Sequence, residues 1–122
     1  MRYMLMIHAN EAEEERMSEA DMGQLMEEYG RFTEELTQSG AMLGSDRLRP
    51  TSAATCVRVR EGKTLTTDGP FADIKEQFGG YYAVEAANLD EAIAWAAKIP
   101  TSKSGCVEVR PIWEMSDCEV SQ

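Results

Sequence analysis

Between Ser18 and Gly40 the chain carries one unbroken helical signal, and the rest of the fold has to be arranged around it. Met22, Leu25, Met26, Tyr29, Phe32 and Leu36 recur at three- and four-residue steps, which draws a single apolar stripe along a helix. Both ends are marked. Ser18 stands where an N-cap oxygen accepts a backbone N–H, with Met17 ahead of it as a staple and Glu19 and Asp21 supplying negative charge to the first turn. At the other end Gly40 offers a left-handed C-cap. A helix with one apolar face must bury it against another layer. Gly23 and Gly30 inside the helix each cost about 1 kcal/mol against alanine, which hints at close packing there.

The layer is supplied by strands. Tyr3 to Ile7 is a short apolar run without alternation, the mark of a strand covered on both faces. Ala9 to Arg16 is acidic and reads as a solvated loop, without the ligand spacing of a calcium-binding loop. Ala41 to Leu48 reads as a second strand. Ala54 to Arg60 alternates Val57 and Val59 against Arg58 and Arg60, Glu61-Gly62 turns the chain, and Lys63 to Thr67 returns. Phe78 to Ala86 is a further strand. Asn88 then caps a second helix with Glu91 in the capping-box position, Leu89, Ala92, Ile93, Ala96 and Ile99 forming its inward face. Cys106 to Trp113 is the last strand, placed at an edge because Pro111 has no N–H to donate. Glu114 to Gln122 is polar and expected to fray.

With the extra β-hairpin set aside, the order is β-α-β-β-α-β, an α+β, ferredoxin-like arrangement in which two helices cover one face of an antiparallel sheet. The chain is expected to be one domain over residues 1–115 with a polar tail at 116–122. The first strand has apolar residues on both parities while the helices cover one face only, so a homodimer through the open sheet face is expected.

Charge excludes several partners. Acids outnumber bases 22 to 12, for a net charge of -10, which disfavours nucleic acid and an anionic membrane surface alike. Cys56, Cys106 and Cys118 are odd in number and lack a short CxxC spacing, as suits a reducing cytoplasm, and they carry no metal signature. The N-terminal apolar run is too short for a signal peptide or a membrane span. No phosphate-cradling glycine loop, HExxH or GxSxG is present, and no second histidine could build a zinc site, so no cofactor or metal is expected.

A set of motifs then falls in order: Thr66-Thr67-Asp68-Gly69-Pro70-Phe71-Ala72, Lys75-Glu76, Gly79-Gly80-Tyr81-Tyr82 with Glu85, Asp90-Glu91-Ala92 with Trp95, and Val107-Glu108-Val109-Arg110-Pro111. From Tyr3 to Trp113 the chain resembles the YCII-related family in its DGPF branch. The resemblance implies a dimeric α+β barrel, in a superfamily that also holds small-molecule isomerases and cofactor-independent monooxygenases. It implies a catalytic His–Asp pair with the aspartate at Asp68. Relatives usually carry the histidine in the first helix, which has none here; the sole histidine is His8. Genes of the branch often lie beside those of extracytoplasmic-function sigma factors, which implies an accessory or regulatory role.

Each candidate residue has two readings. Asp68 either fixes a tight turn through backbone N–H groups or aims a carboxylate into a pocket as base or anchor. His8, the one side chain with an unperturbed pKa near neutrality, is either a hydrogen-bonded structural residue or the acid–base partner of Asp68. Arg110 either pairs with Glu108 two residues away or captures a substrate carboxylate. Phe71 beside the turn and Tyr82 are candidate substrate contacts, and Tyr81 faces away from Tyr82. Two functions follow: a cofactor-independent enzyme performing proton transfer, such as isomerisation or elimination, on a small molecule, or a non-catalytic small-molecule-binding or sigma-factor-associated accessory protein.

Overall fold

The helix forms as its ends dictate. In the computed structural model, which describes residues 1–72 and 74–115, it runs Glu19–Ser39 (α2), with Ser18 Oγ accepting from Asp21 N at 3.1 Å and Gly40 at φ 84° closing it. A short helix, Glu11–Glu15 (α1), precedes it where a loop was expected. Asn10 is the cause: its Oδ1 accepts from Glu13 N at 3.1 Å, and Glu11, Glu13 and Glu14 set negative charge against the helix N-terminus. A third helix, Leu89–Lys98 (α3), is capped by Asn88 Oδ1, which accepts from Glu91 N at 2.9 Å. Glu91 Oε2 reaches back to Ala87 N at 3.2 Å.

Six strands accompany the helices among the described residues: Arg2–Ala9 (β1), Met42–Arg47 (β2), Thr55–Arg60 (β3), Lys63–Asp68 (β4), Gln77–Glu85 (β5) and Cys106–Pro111 (β6). Four of them make one sheet in the order β2-β5-β1-β6, every neighbouring pair antiparallel, and β3 and β4 make a separate two-stranded ribbon. The fold is therefore α+β with antiparallel sheets. Pro111 does lie on an edge strand. Glu61 (φ 52°) and Gly62 (φ 76°) form the ribbon turn, and Val57, Val59 and Leu65 on the ribbon are exposed.

Register sorts the side chains into rungs. Pro111, Tyr3, Val84 and Met42 share the first rung on the helix-covered face; Val109, Leu5, Tyr82 and Ser45 share the second; Val107, Ile7, Gly80 and Arg47 share the third. Tyr3, Leu5, Tyr82 and Val84 pack with Phe32 and Leu36 of α2 and with Ala92, Ala96 and Ile99 at α3. Phe32 meets Tyr82 edge-on with centroids 5.0 Å apart. Each fully buried Leu or Val contributes about 1.5–3 kcal/mol, so this cluster sets the stability of the chain. The third rung is different. Gly80 leaves the sheet bare there, and a Cβ on it would stand 2.8 Å from the Asp46 carbonyl oxygen, so only glycine lets β2 lie this close.

Several expectations are corrected. Gly23 and Gly30 have nothing within 4 Å of a built Cβ and do not mark close packing. Leu89 and Ile93 are 48% and 47% exposed, because the inward face of α3 is set by Ala92, Ala96 and Trp95 instead. Glu114 does not fray: both of its carboxylate oxygens accept from the Arg2 guanidinium at 2.9 Å. The expected tail at 116–122, with Cys118, lies outside the described residues. No helix among the described residues is long and apolar enough to cross a membrane.

Candidate functional site

The missing side chain at Gly80 in the third rung opens a cleft. It measures about 640 Å³ and lies between the first half of α2 and the end of the sheet where β1 and β2 finish and β5 begins. Met22, Leu25 and Met26 of α2 and Ile7 of β1 form its apolar wall. These methionines belong to the stripe that reads as core, yet only Phe32 and Leu36 of α2 are buried; the helix continues past the end of the packed rungs.

Polar groups converge from the other sides. Tyr29, Tyr82 and Thr101 reach the cleft, and Arg47, Arg49 and the acids Glu11, Glu14 and Asp46 line it as well. Thr101, on a single 3-10 turn after α3, is 4% exposed and its Oγ1 is hydrogen-bonded to the Tyr29 hydroxyl. Burial pushes the Tyr29 phenol above its usual value, against the Thr101 hydrogen bond, and the Glu14 charge adds to the rise. Tyr29 therefore keeps its proton at neutral pH. The Tyr82 hydroxyl bonds Thr33 Oγ1 at 2.7 Å. At the rim, α1 is tied across to the loop after β2: Glu11 Oε1 accepts from Thr51 N at 2.9 Å and Oε2 from Thr51 Oγ1 at 2.7 Å. Gln77 Oε1 accepts from Glu11 N at 3.0 Å.

The residues singled out in the sequence fall into three places. Tyr82 lies in the cleft. Asp68 ends β4 opposite Thr55, exposed, and the turn after it is held by Gly69 (φ 104°), whose N–H donates to Ala54 O at 2.8 Å while its carbonyl accepts from Cys56 Sγ. Phe71 is 79% exposed, with the Arg58 guanidinium 5.5 Å from its ring centroid, and lines a second hollow of about 530 Å³ with Leu48, Pro70, Ile74 and Phe78.

His8 and Arg110 sit on the opposite, open face of the sheet. There the rungs read Arg110, Met4, Ala83, Gly44 and then Glu108, Met6, Tyr81, Asp46. A bulge between Ile7 and His8 skips Gly79, so His8 faces Phe78, with ring centroids 5.6 Å apart. Its Nε2 is 3.2 Å from Glu108 Oε1, and the other Glu108 oxygen pairs with Arg110. The Arg110 hydrogen bond holds the Glu108 carboxyl below its usual value, with a smaller contribution from His8. Tyr81 donates to Asp46 Oδ2 at 2.7 Å, which raises its phenol.

Among the described residues, then, the hydrogen-bonded partner of His8 is Glu108, and no hydrogen bond joins His8 to Asp68. Tyr29, Thr101, Arg47 and Glu11 were not singled out in the sequence; Tyr29 was hidden in the apolar stripe, where a tyrosine on a methionine-rich helix face was the available signal. Among the described residues no cluster of three or more His, Cys, Asp or Glu could hold a metal ion.

Two comparisons bear on this arrangement. The family model described as the YCII-related domain matches residues 1–116. An uncharacterized protein of Rhizobium meliloti (strain 1021) is 32% identical over 114 residues, which cover 92% of each chain.

Proposed function

The chain belongs to the YCII-related family, and we propose that it is a small-molecule-binding protein whose site is the cleft beneath α2. The carrying observation is the coincidence of an apolar wall with converging hydroxyls in a concavity of about 640 Å³, within the size range of pockets for small organic ligands. The test is a thermal-shift screen of small acids and hydroxylated aromatics on the parent and on Leu25→Trp, which fills the cleft. Specific ligands stabilise by mass action, so they should raise the melting temperature of the parent and lose that effect in the variant. A flat response of the parent across a broad library refutes the reading.

The architecture is read here as ferredoxin-like within the DGPF branch, and the protein as a cytoplasmic homodimer joined through the open sheet face. The sheet order and the two-helix cover support the first. For the second, Met4, Met6 and Ala83 form an apolar centre that Arg110, Glu108 and Asp46 surround with charge, the distribution found at protein interfaces. Met6→Glu should yield a monomer in light scattering; a monomeric parent sinks the dimer.

A second reading, proton-transfer catalysis, is favoured by one observation: a carboxylate, Glu108, stands within hydrogen-bonding distance of the only imidazole. In that reading His8 is the acid–base group, Asp68 the carboxylate that orients or deprotonates, Arg110 an anion anchor and Phe71 a substrate contact. Turnover that survives in both His8→Gln and Asp68→Asn would remove it. Neither reading calls on a metal or an organic cofactor. An accessory role beside a sigma factor fits the binding reading.

A further inference from the structure

We propose that the ligand of the cleft is a monoanionic organic acid, a single carboxylate on an apolar body, with Arg47 taking the carboxylate and Arg49 supporting it. The inference rests on the cleft being the binding site, and it adds the chemistry of what is bound.

Two guanidinium donors are left over on the cleft. Of the eight arginines in the chain, two are ion-paired among the described residues, and of the other six only Arg47 and Arg49 line the cleft. Arg2 pairs with Glu114 and Arg110 with Glu108. Arg47 and Arg49, both on the cleft, make no ion pair with any described residue. Two of the three acids on the cleft are engaged elsewhere. Glu11 spends both oxygens on Thr51, and Asp46 accepts from Tyr81 on the other face of the sheet. Arg47 stands beside Gly80 in the third rung, exposed, and its Nη1 approaches Met26 Sδ at 3.9 Å, a thioether that is only a weak acceptor. A guanidinium fork held there matches a carboxylate with two parallel hydrogen bonds.

The remaining surface sets the rest of the ligand. Met22, Leu25, Met26 and Ile7 offer an adaptable apolar wall, suited to an aliphatic or aryl body of variable shape. Glu14, whose charge is felt at Tyr29, repels a second anionic group, so one anionic head is accepted and a dianion is not. The distant negative charge of the chain is screened beyond about 8–10 Å at physiological salt, and within the cleft the two guanidinium groups stand among three acids, so placement of the head group against Arg47 matters more than the overall sign.

Isothermal titration of phenylbutanoate and of its neutral amide into the parent, Arg47→Gln, Arg49→Gln and Arg47→Lys tests this. The parent should bind the acid more tightly than the amide. Arg47→Gln should weaken the acid by roughly 10- to 100-fold, the usual range for losing a hydrogen bond to a charged group, and leave the amide unchanged. Arg49→Gln should weaken the acid by less, and Arg47→Lys should restore part of the loss. Equal binding of acid and amide by the parent, or an acid affinity untouched by Arg47→Gln, overturns the charge assignment while the cleft survives as a site. Loss of acid and amide binding together in Arg47→Gln, with melting unchanged, overturns it as well. If the parent binds neither phenylbutanoate nor any compound in the thermal-shift screen, the cleft reading falls and this inference with it.

Discussion

Replacing Gly80 with alanine should force β2 away from β5 at the floor of the cleft. The added Cβ would stand 2.8 Å from the Asp46 carbonyl oxygen and 3.4 Å from the Arg47 Cα, both backbone atoms that no rotamer change can move. Comfortable contact with carbon begins at about 3.5 Å, so the strand must retreat by roughly 0.7 Å. Crowding of this kind costs about 1–3 kcal/mol, and alanine returns about 0.5–1 kcal/mol by narrowing the unfolded ensemble. The two terms leave a net loss of about 0–2.5 kcal/mol, near 1 kcal/mol at mid-range, and each kcal/mol lowers the melting temperature by roughly 3–6 °C in a domain of this size. Gly30→Ala is the internal control. Gly30 is exposed on α2 with nothing within 4 Å of a built Cβ, and the same substitution there should add about 0.5–1 kcal/mol. Thermal and guanidinium unfolding of both variants gives the answer. Two shifts of the same sign, or a Gly80→Ala protein that melts at or above the parent, would refute the close-approach argument.

Other consequences are open to measurement. Thr101→Val keeps the shape of a buried residue but takes away the Tyr29 partner, so it should cost about 1–3 kcal/mol and move the Tyr29 phenol still higher in an ultraviolet titration, since the Thr101 hydrogen bond is what lowers it. Glu11→Gln should weaken the tie to Thr51, with faster amide hydrogen exchange over residues 10–17 and no change in the core strands; unaltered exchange would mean that α1 is held by other contacts. Glu108 has a depressed folded value, chiefly through the Arg110 hydrogen bond. The stabilisation it contributes is therefore present above the ordinary carboxylate range and is lost as pH falls through that lowered value. Arg110→Gln should move the Glu108 carboxyl titration upward by carbon NMR, and an unmoved curve would show that the ion pair does not persist in solution.

Local chemistry made much of the architecture legible. Ser18, Gly40 and Asn88 mark helix ends by hydrogen bonds within a few residues, and they act where expected. Val57 and Val59 mark β3 as a strand, although both are exposed, so their alternation with Arg58 and Arg60 buries no face. The failures are those of context. Asn10 was available as a cap but lay among acids that read as solvated. The stripe of α2 is continuous in sequence, whereas the sheet beneath it loses its side chain at Gly80, so the same pattern is core at Phe32 and Leu36 and cleft wall at Met22 and Leu25. Leu89 and Ile93 satisfied a helical period without having anything to pack against. The candidate site was harder still, because the neighbour of His8 is fixed by strand register. Glu108 lies 100 residues away on β6, opposite Met6, and no spacing rule links it to β1.

The β3–β4 ribbon lies outside the four-stranded sheet. Leu48 N donates to Gly79 O at 2.8 Å, so the chain leaves the four-stranded sheet and returns to it at almost the same point. To the sheet, the ribbon is the contents of a closed loop. The entropy of closing such a loop grows only with the logarithm of its length, about 0.6 kcal/mol for each doubling. Lineages could therefore lengthen, shorten or recompose the ribbon at small thermodynamic expense, and the protein could acquire new recognition surface there while the packed rungs stay as they are.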